Sequence, residues 1–195
     1  IPDYLYNIWR DSHVRLLNGR MVSGHVQGRI LSSLAHMMRP HRVLEIGTFT
    51  GYSALCLAEG LTDDGLLHTI EIDDELEDTI RHNLSTSPLE SKIVLHIGSA
   101  LDIIPTLTDV FDLVFIDGDK REYQDYLEAA LPRVRCNGFL LADNTLWSQK
   151  VLSTANHADR QTIALQHFNE AVAHDSRLDV SILPLRDGLT LMRKK

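Results

Sequence analysis

The chain has few cysteines, no long apolar run and no block of basic residues, and each shortage closes a class of function. Its two cysteines, Cys56 and Cys136, fall in separate predicted elements with no C-x-x-C pairing, which argues against a disulfide framework and a thiolate zinc site. No apolar stretch reaches the ~18 residues of a membrane-spanning helix, and the N-terminal IPDYLYNIWRDSHVR lacks the charged-then-apolar order of a signal peptide. A cytoplasmic location with no membrane contact is expected. The chain begins with Ile1 rather than Met, as one lacking a leading segment would. Its ten histidines never form H-E-x-x-H, so they read as surface or packed residues. The scattered Tyr4, Tyr6 and Trp9 read as packing. Beyond the terminal RKK there is no basic tract, and the formal net charge is -8. That balance speaks against an extended nucleic-acid surface and favours small neutral or cationic partners.

Internal repeats, low-complexity tracts and long linkers are absent as well, so 195 residues with 44% hydrophobic and 24% charged content read as one domain. Residues 1–40 are expected to be a helical segment and 41–195 an α/β core. In HVQGRILSSLAHMM, residues 25–38, the apolar positions Val26, Ile30, Leu34 and Met37 or Met38 predict one buried helical face, and Pro40 ends the helix. Strands over 43–47, 67–72, 93–97, 112–116 and 138–142 then alternate with helices over 51–60, 74–85, 99–107 and 121–131, the signature of a parallel sheet. After a helix over 159–174, DVSILPL and GLTLMRK form two strand-like runs. Arg186-Asp187-Gly188 between them predicts an antiparallel hairpin.

In VLEIGTFTGYSAL, residues 43–55, a buried strand runs through a glycine-spaced turn into a helix. No Lys lies between Val43 and Ala58, so this is no Walker loop. The glycines are Gly47 and Gly51 with Phe49 between them, which departs from G-x-G-x-x-G. Glu45 on the strand would repel a phosphate and accept a hydrogen bond from an ammonium group, so the turn suits a cationic ligand.

Ligands of open α/β sheets sit beyond the carboxyl ends of the strands, and those ends carry acids. Glu71 stands where a carboxylate takes ribose hydroxyls, or where one caps the next helix. Asp117, Asp143 and Asn144 offer hard oxygen donors of the kind Mg²⁺ uses, a pattern that ordinary helix-capping acids also produce. Lys120 follows Asp117 at a strand end, as a solvated lysine or as a general base.

With VLEIGTFTGYSAL, TIEID, GSALDIIPTL, FDLVFIDGDKREYQDYL, GFLLADNTLW and PLRDGLTL in this order, the sequence resembles the cation-dependent O-methyltransferases that include catechol and caffeoyl-CoA methyltransferases. The likeness runs from about Met21 to Lys194. It implies a class I methyltransferase fold: a mostly parallel seven-stranded sheet with a C-terminal antiparallel hairpin and helices on both faces. It implies S-adenosylmethionine as cofactor, S-adenosylhomocysteine as product, a divalent cation such as Mg²⁺, and a homodimer.

On this resemblance Glu45 and Ser53 hold the methionine ends of the cofactor, and Ser23 and the turn Gly47-Thr48-Phe49 contact the same moiety. Glu71 takes the ribose, with Ile72 beside it. Ala100 lies at adenine, where Gly118 offers no side chain, and Asp117 and Asp119 lie near the cofactor. Asp117, Asp143 and Asn144 match the metal ligands, and Lys120 the catalytic lysine. The acceptor implied is a small hydroxylated aromatic with a vicinal diol. The N-terminal segment before Met21 is shorter than is usual in the family, which implies a reduced or rearranged acceptor lid. Two other readings stay open: methylation of a tRNA 5-hydroxyuridine, and a non-catalytic nucleoside-binding protein. The complete lysine and acid set argues against the latter.

Overall fold

A computed structural model describes residues 1–195. Two helices, α1 (Asp3–Arg15) and α2 (Gly24–Met38), precede the sheet, and no helix is long and apolar enough to cross a membrane. Then β1 (Arg42–Ile46), α3 (Tyr52–Ala58), β2 (Leu66–Glu71), α4 (Glu77–Ser85), β3 (Ile93–Ile97), α5 (Ala100–Ile103), β4 (Phe111–Ile116), α6 (Tyr123–Ala130) and β5 (Val134–Asp143) alternate. α7 (Arg160–His174), β6 (Leu178–Leu183) and β7 (Leu189–Lys194) complete the chain. The strands form one seven-stranded sheet in the order β3-β2-β1-β4-β5-β7-β6. β1 to β5 pair in parallel, whereas β7 runs antiparallel to both β5 and β6. The expected sheet with its terminal hairpin is thus present.

Successive strand residues point to opposite faces, and both faces are covered, so the central strands are mostly apolar. Leu44, Ile46, Val114, Ile116, Leu140 and Ala142 pack under α6 and α7 with Tyr123, Leu127 and Phe168. Val43, Leu67, Leu113, Phe115 and Leu141 pack under α1 to α4 with Leu5, Leu31, Leu55 and Ile80.

Three predicted elements differ. The helix expected over 99–107 is one α-turn followed by a 3-10 turn, Ile104–Thr106, because Pro105 brings no N–H to continue it. β5 begins at Val134 rather than 138, since Val134 pairs with Phe111 ahead of a register shift that resumes at Leu113 and Phe139. The face of α2 is the largest departure. Val26 and Met37 are 63% and 81% exposed, and the residues turned inward are Gln27, Gly28, Leu31, Ser32 and Ala35. The small residues explain it: a Cβ on Gly28 would stand 2.6 Å from the Tyr52 ring and 2.8 Å from Cys56 Sγ, so α2 lies close on α3 only along this line.

Candidate active site

A cavity of about 1270 Å³ opens over the carboxyl ends of β1, β2, β4 and β5. Its floor is the turn after β1. Gly47 has φ 97°, and a Cβ there would lie 2.3 Å from the Asp117 carbonyl oxygen; Gly51, φ 82°, starts α3 from the left-handed region. Neither place admits an L side chain without strain. The turn is tied to the neighbouring strand end by Glu71, whose Oε2 accepts from the backbone N–H of Thr48 at 3.1 Å and of Phe49 at 2.7 Å. Its Oε1 accepts from Asp73 N at 3.0 Å. The cap of the following helical turn is Asp73, which accepts from Glu75 N. Glu71 therefore braces the glycine turn, and it also faces the cavity.

Ser23, Gly47, Thr48, Phe49, Ser53, Glu71, Ile72 and Ala100 all line the cavity, as do Asp117, Asp119, Lys120, Asp143 and Asn144. Ile72, 70% exposed, is an apolar side chain left open on the rim. Asp119 caps the turn that follows it through Arg121 N and pairs with the Arg121 side chain. Gly118 faces the Tyr126 ring, where a Cβ would stand 3.0 Å away.

Glu45 is the exception. It is fully buried in β1 and does not reach the cavity surface. Thr69 Oγ1 donates to its Oε2 at 2.6 Å, while Oε1 is buried without a partner. Burial pushes the carboxyl up to about 8, against the hydrogen bonds that favour its ionised form.

At the other end of the cavity, Lys120 is buried. Its Nζ donates to Asp117 Oδ1 at 2.8 Å and to the Tyr123 hydroxyl at 2.5 Å. That hydroxyl donates in turn to the Asp143 carbonyl oxygen at 3.0 Å. Asp143 is held at both oxygens: Oδ1 accepts from Asn144 N at 2.8 Å and Oδ2 from Gln27 Nε2 at 2.6 Å. Burial, then the nearby Asp117 charge, raise its pKa to about 6. Asn144 turns the chain with φ 57°, and Trp147, with an indole N–H that is buried and unpartnered, faces the cavity beyond it.

Buried Asp143 and half-buried Asp117, on adjacent strand ends with an amide beside them, form a hard-oxygen donor set suited to a small divalent cation that retains water. No group of three or more acid, histidine or cysteine side chains is arranged to hold a metal ion, so a cation here would rely on Asp117, Asp143 and the Asn144 amide.

Tyr123 and Gln27 are site residues that the sequence reading did not single out. The i, i+3 spacing of Tyr123 from Lys120 was a usable signal. Gln27 lies 116 positions from its partner, and no local pattern marks it.

Residues 3–195 match the family described as O-methyltransferase. The caffeoyl-CoA O-methyltransferase of Stellaria longipes is 29% identical over 184 residues, covering 89% of this chain and 76% of that protein. The catechol O-methyltransferase of Niastella koreensis is 32% identical over 174 residues, covering 85% and 78%. Among solved structures, an SAH-bound methyltransferase of Podospora anserina superposes with a TM-score of 0.91 at 30% identity, covering 100% of this chain and 89% of that one.

Proposed function

The chain belongs to the O-methyltransferase family, and from that premise we propose that it moves a methyl group from S-adenosylmethionine to one hydroxyl of a small vicinal-diol aromatic, assisted by a divalent cation. The observation that carries this reading is the pairing of Lys120 with Asp117 beside buried Asp143, at one end of a cavity whose other wall is Glu71, Ile72 and Ala100.

The site fits a cationic cofactor. Glu71, Asp117 and Asp143 face the cavity, and acids lining a concave site attract positive charge. Ser23 and Ser53 offer hydroxyls to the methionine end. Glu71 retains acceptor capacity for ribose hydroxyls beside the bonds it makes to the turn, and Ile72 and Ala100 supply apolar surface for a flat base.

Asp117, Asp143 and Asn144 would hold the cation, which when bound lowers the pKa of a hydroxyl and orients a vicinal oxygen pair. The chain's own groups do the rest. Trp147 walls the acceptor end, and the cavity aligns the acceptor oxygen with the methyl group, where positioning lowers the barrier most. As the oxygen–methyl bond forms and the sulfur–methyl bond breaks, the sulfonium becomes a neutral thioether and Lys120 Nζ takes the acceptor's proton. To do so the amine needs a free lone pair. Tyr123 holds the amine in place.

The test is transfer of labelled methyl from S-adenosylmethionine to a panel of vicinal diphenols, with Mg²⁺ and with a chelator. Labelling that the chelator abolishes is expected. Labelling of monophenols at the same rate with the chelator present would remove both the cation and the diol from the reading.

A further inference from the structure

The turn between β6 and β7 reaches back across the cavity to α2. Arg186, at φ 49°, extends its guanidinium to the Ser23 carbonyl oxygen and, at 2.8 Å, to Gln27 Oε1. The turn itself is fixed to the loop that follows Asp143: Leu146 N donates to the Asp187 carbonyl at 2.8 Å, and Thr145 N to the Gly188 carbonyl at 3.2 Å. A Cβ on Gly188, φ 88°, would lie 2.5 Å from Leu146 Cγ, so the contact is close enough to set the register of the turn.

Gln27 is 2% exposed. A buried amide is costly unless both of its ends are satisfied, and here both are, by groups of opposite demand. A guanidinium only donates, so Arg186 compels the amide oxygen to face it. The amide nitrogen is then left facing Asp143 Oδ2 at 2.6 Å. Without Arg186 the amide can flip and present its oxygen to the carboxylate, which would repel it. Arg186 makes no ion pair with any carboxylate, whereas Arg29, Arg42 and Arg177 each do. Its two acceptors here are the Gln27 amide and a backbone carbonyl.

We propose that Gln27, locked in one amide orientation by Arg186, is a positioning residue that holds the Asp143 carboxylate ready for a divalent cation. This rests on the cation reading above. Asn144 N fixes one oxygen of Asp143 and Gln27 the other, each leaving a lone pair free. Loss of a partner that orients a metal ligand costs about 10- to 100-fold in metal affinity. A purely structural link between α2 and the sheet would cost stability and leave cation affinity alone.

The experiment is direct Mn²⁺ binding to the full chain in the presence of S-adenosylhomocysteine, by calorimetry or by the loss of the free-ion resonance, for the parent, Q27L, R186M and the double variant. Q27L is expected to weaken Mn²⁺ binding by about 10- to 100-fold, with S-adenosylhomocysteine affinity within twofold and turnover restored by excess cation. R186M should weaken it less, and the double variant should match Q27L, because Arg186 acts through Gln27. Parent binding with Q27L within twofold of it, or losses that simply add in the double variant, would overturn the proposal while leaving the cation reading intact. A parent that binds no Mn²⁺ would sink both. Should Q27L fail to bind the cofactor product, the R186M arm decides alone, and affinity within twofold of the parent counts against the proposal.

Discussion

Lys120 is held by an acid on one side and a phenol on the other, and the two contacts divide its work. Asp117 places the amine at the strand end, and the Tyr123 hydroxyl, anchored on the Asp143 carbonyl, keeps it from swinging toward solvent. Lys120→Ala should therefore lower turnover by about 10²- to 10⁴-fold, the span of general-base catalysis, with cofactor affinity nearly unaltered. Unaltered turnover, measured at saturating cofactor, would take Lys120 out of the mechanism. Glu45 gives a prediction of a different kind. Its carboxyl is raised by burial to about 8 from an ordinary 4.5, so the folded protein favours the protonated form. Its contribution to stability is full below pH 4.5 and is lost as pH rises toward 8. Glu45→Gln should leave the cofactor-free protein no less stable at pH 4 and more stable at pH 9, in chemical denaturation. A variant that tracks the parent at both pH values would show that Glu45 is ionised at no cost. Lys120, Asp117 and Asp143 were legible in the sequence because strand ends gather polar residues at predictable places. Gln27 was not, because its meaning depends on partners, Asp143 and Arg186, brought from the far half of the chain.

Elements were legible where a period is fed by packing on one side only, and less so where small residues decide the approach. The apolar spacing of α2 pointed to Val26 and Ile30, yet the helix turns Gln27, Gly28 and Leu31 inward. Two polar residues on the buried face hide it from any hydrophobic count. Helices α3 and α7 began and ended within two residues of expectation, since each is bounded by a glycine turn or an acidic cap. Between β2 and β3 a different feature emerges. His68 Nδ1 and His96 Nε2 lie 2.9 Å apart, stacked, with Asp109 3.6 Å from His68 Nε2 and Arg42 paired to that same acid. One of the facing nitrogens must be unprotonated for the contact to exist. Burial lowers the pKa of both rings, so the folded state favours neutral imidazoles. The stability this gives is complete above the unfolded pKa near 6.5 and falls as pH drops below it. Melting of the parent should therefore weaken between pH 7 and pH 5 more than that of a His68→Gln, His96→Gln variant. Equal slopes would mean that the pair is not an acid-sensitive joint of the sheet edge.

At the scale of the whole molecule, the strand order and the terminal hairpin place α2, the strand ends and the 184–188 turn around one cavity. The alternation of elements made that layout readable from sequence. The hairpin's reach back to α2 was not, because it depends on the chain crossing the cavity. The charge of the molecule follows the same plan. With a net charge of -8 overall, the cavity is lined by eight acids, Glu71, Asp73, Glu75, Asp117, Asp119, Glu122, Asp143 and Asp187, against Arg20, Lys120 and Arg186. Such a concave, predominantly acidic surface attracts cations and repels polyanions. S-adenosylmethionine carries net positive charge, so its dissociation constant should rise several-fold between about 20 mM and 300 mM salt, as a Debye length near 20 Å shrinks to about 6 Å. S-adenosylhomocysteine, without the sulfonium, should respond less. A reader of tRNA would show a second salt-sensitive association: polynucleotide binding would be tight at low salt and would fall steeply as counterions compete. Titration of both cofactor forms and of bulk tRNA at the two salt concentrations therefore separates the two acceptor classes. Salt-sensitive S-adenosylmethionine binding with no tRNA binding at the lower salt supports a small acceptor. Saturable tRNA binding there would mean that this acidic cavity is not the surface the acceptor meets first.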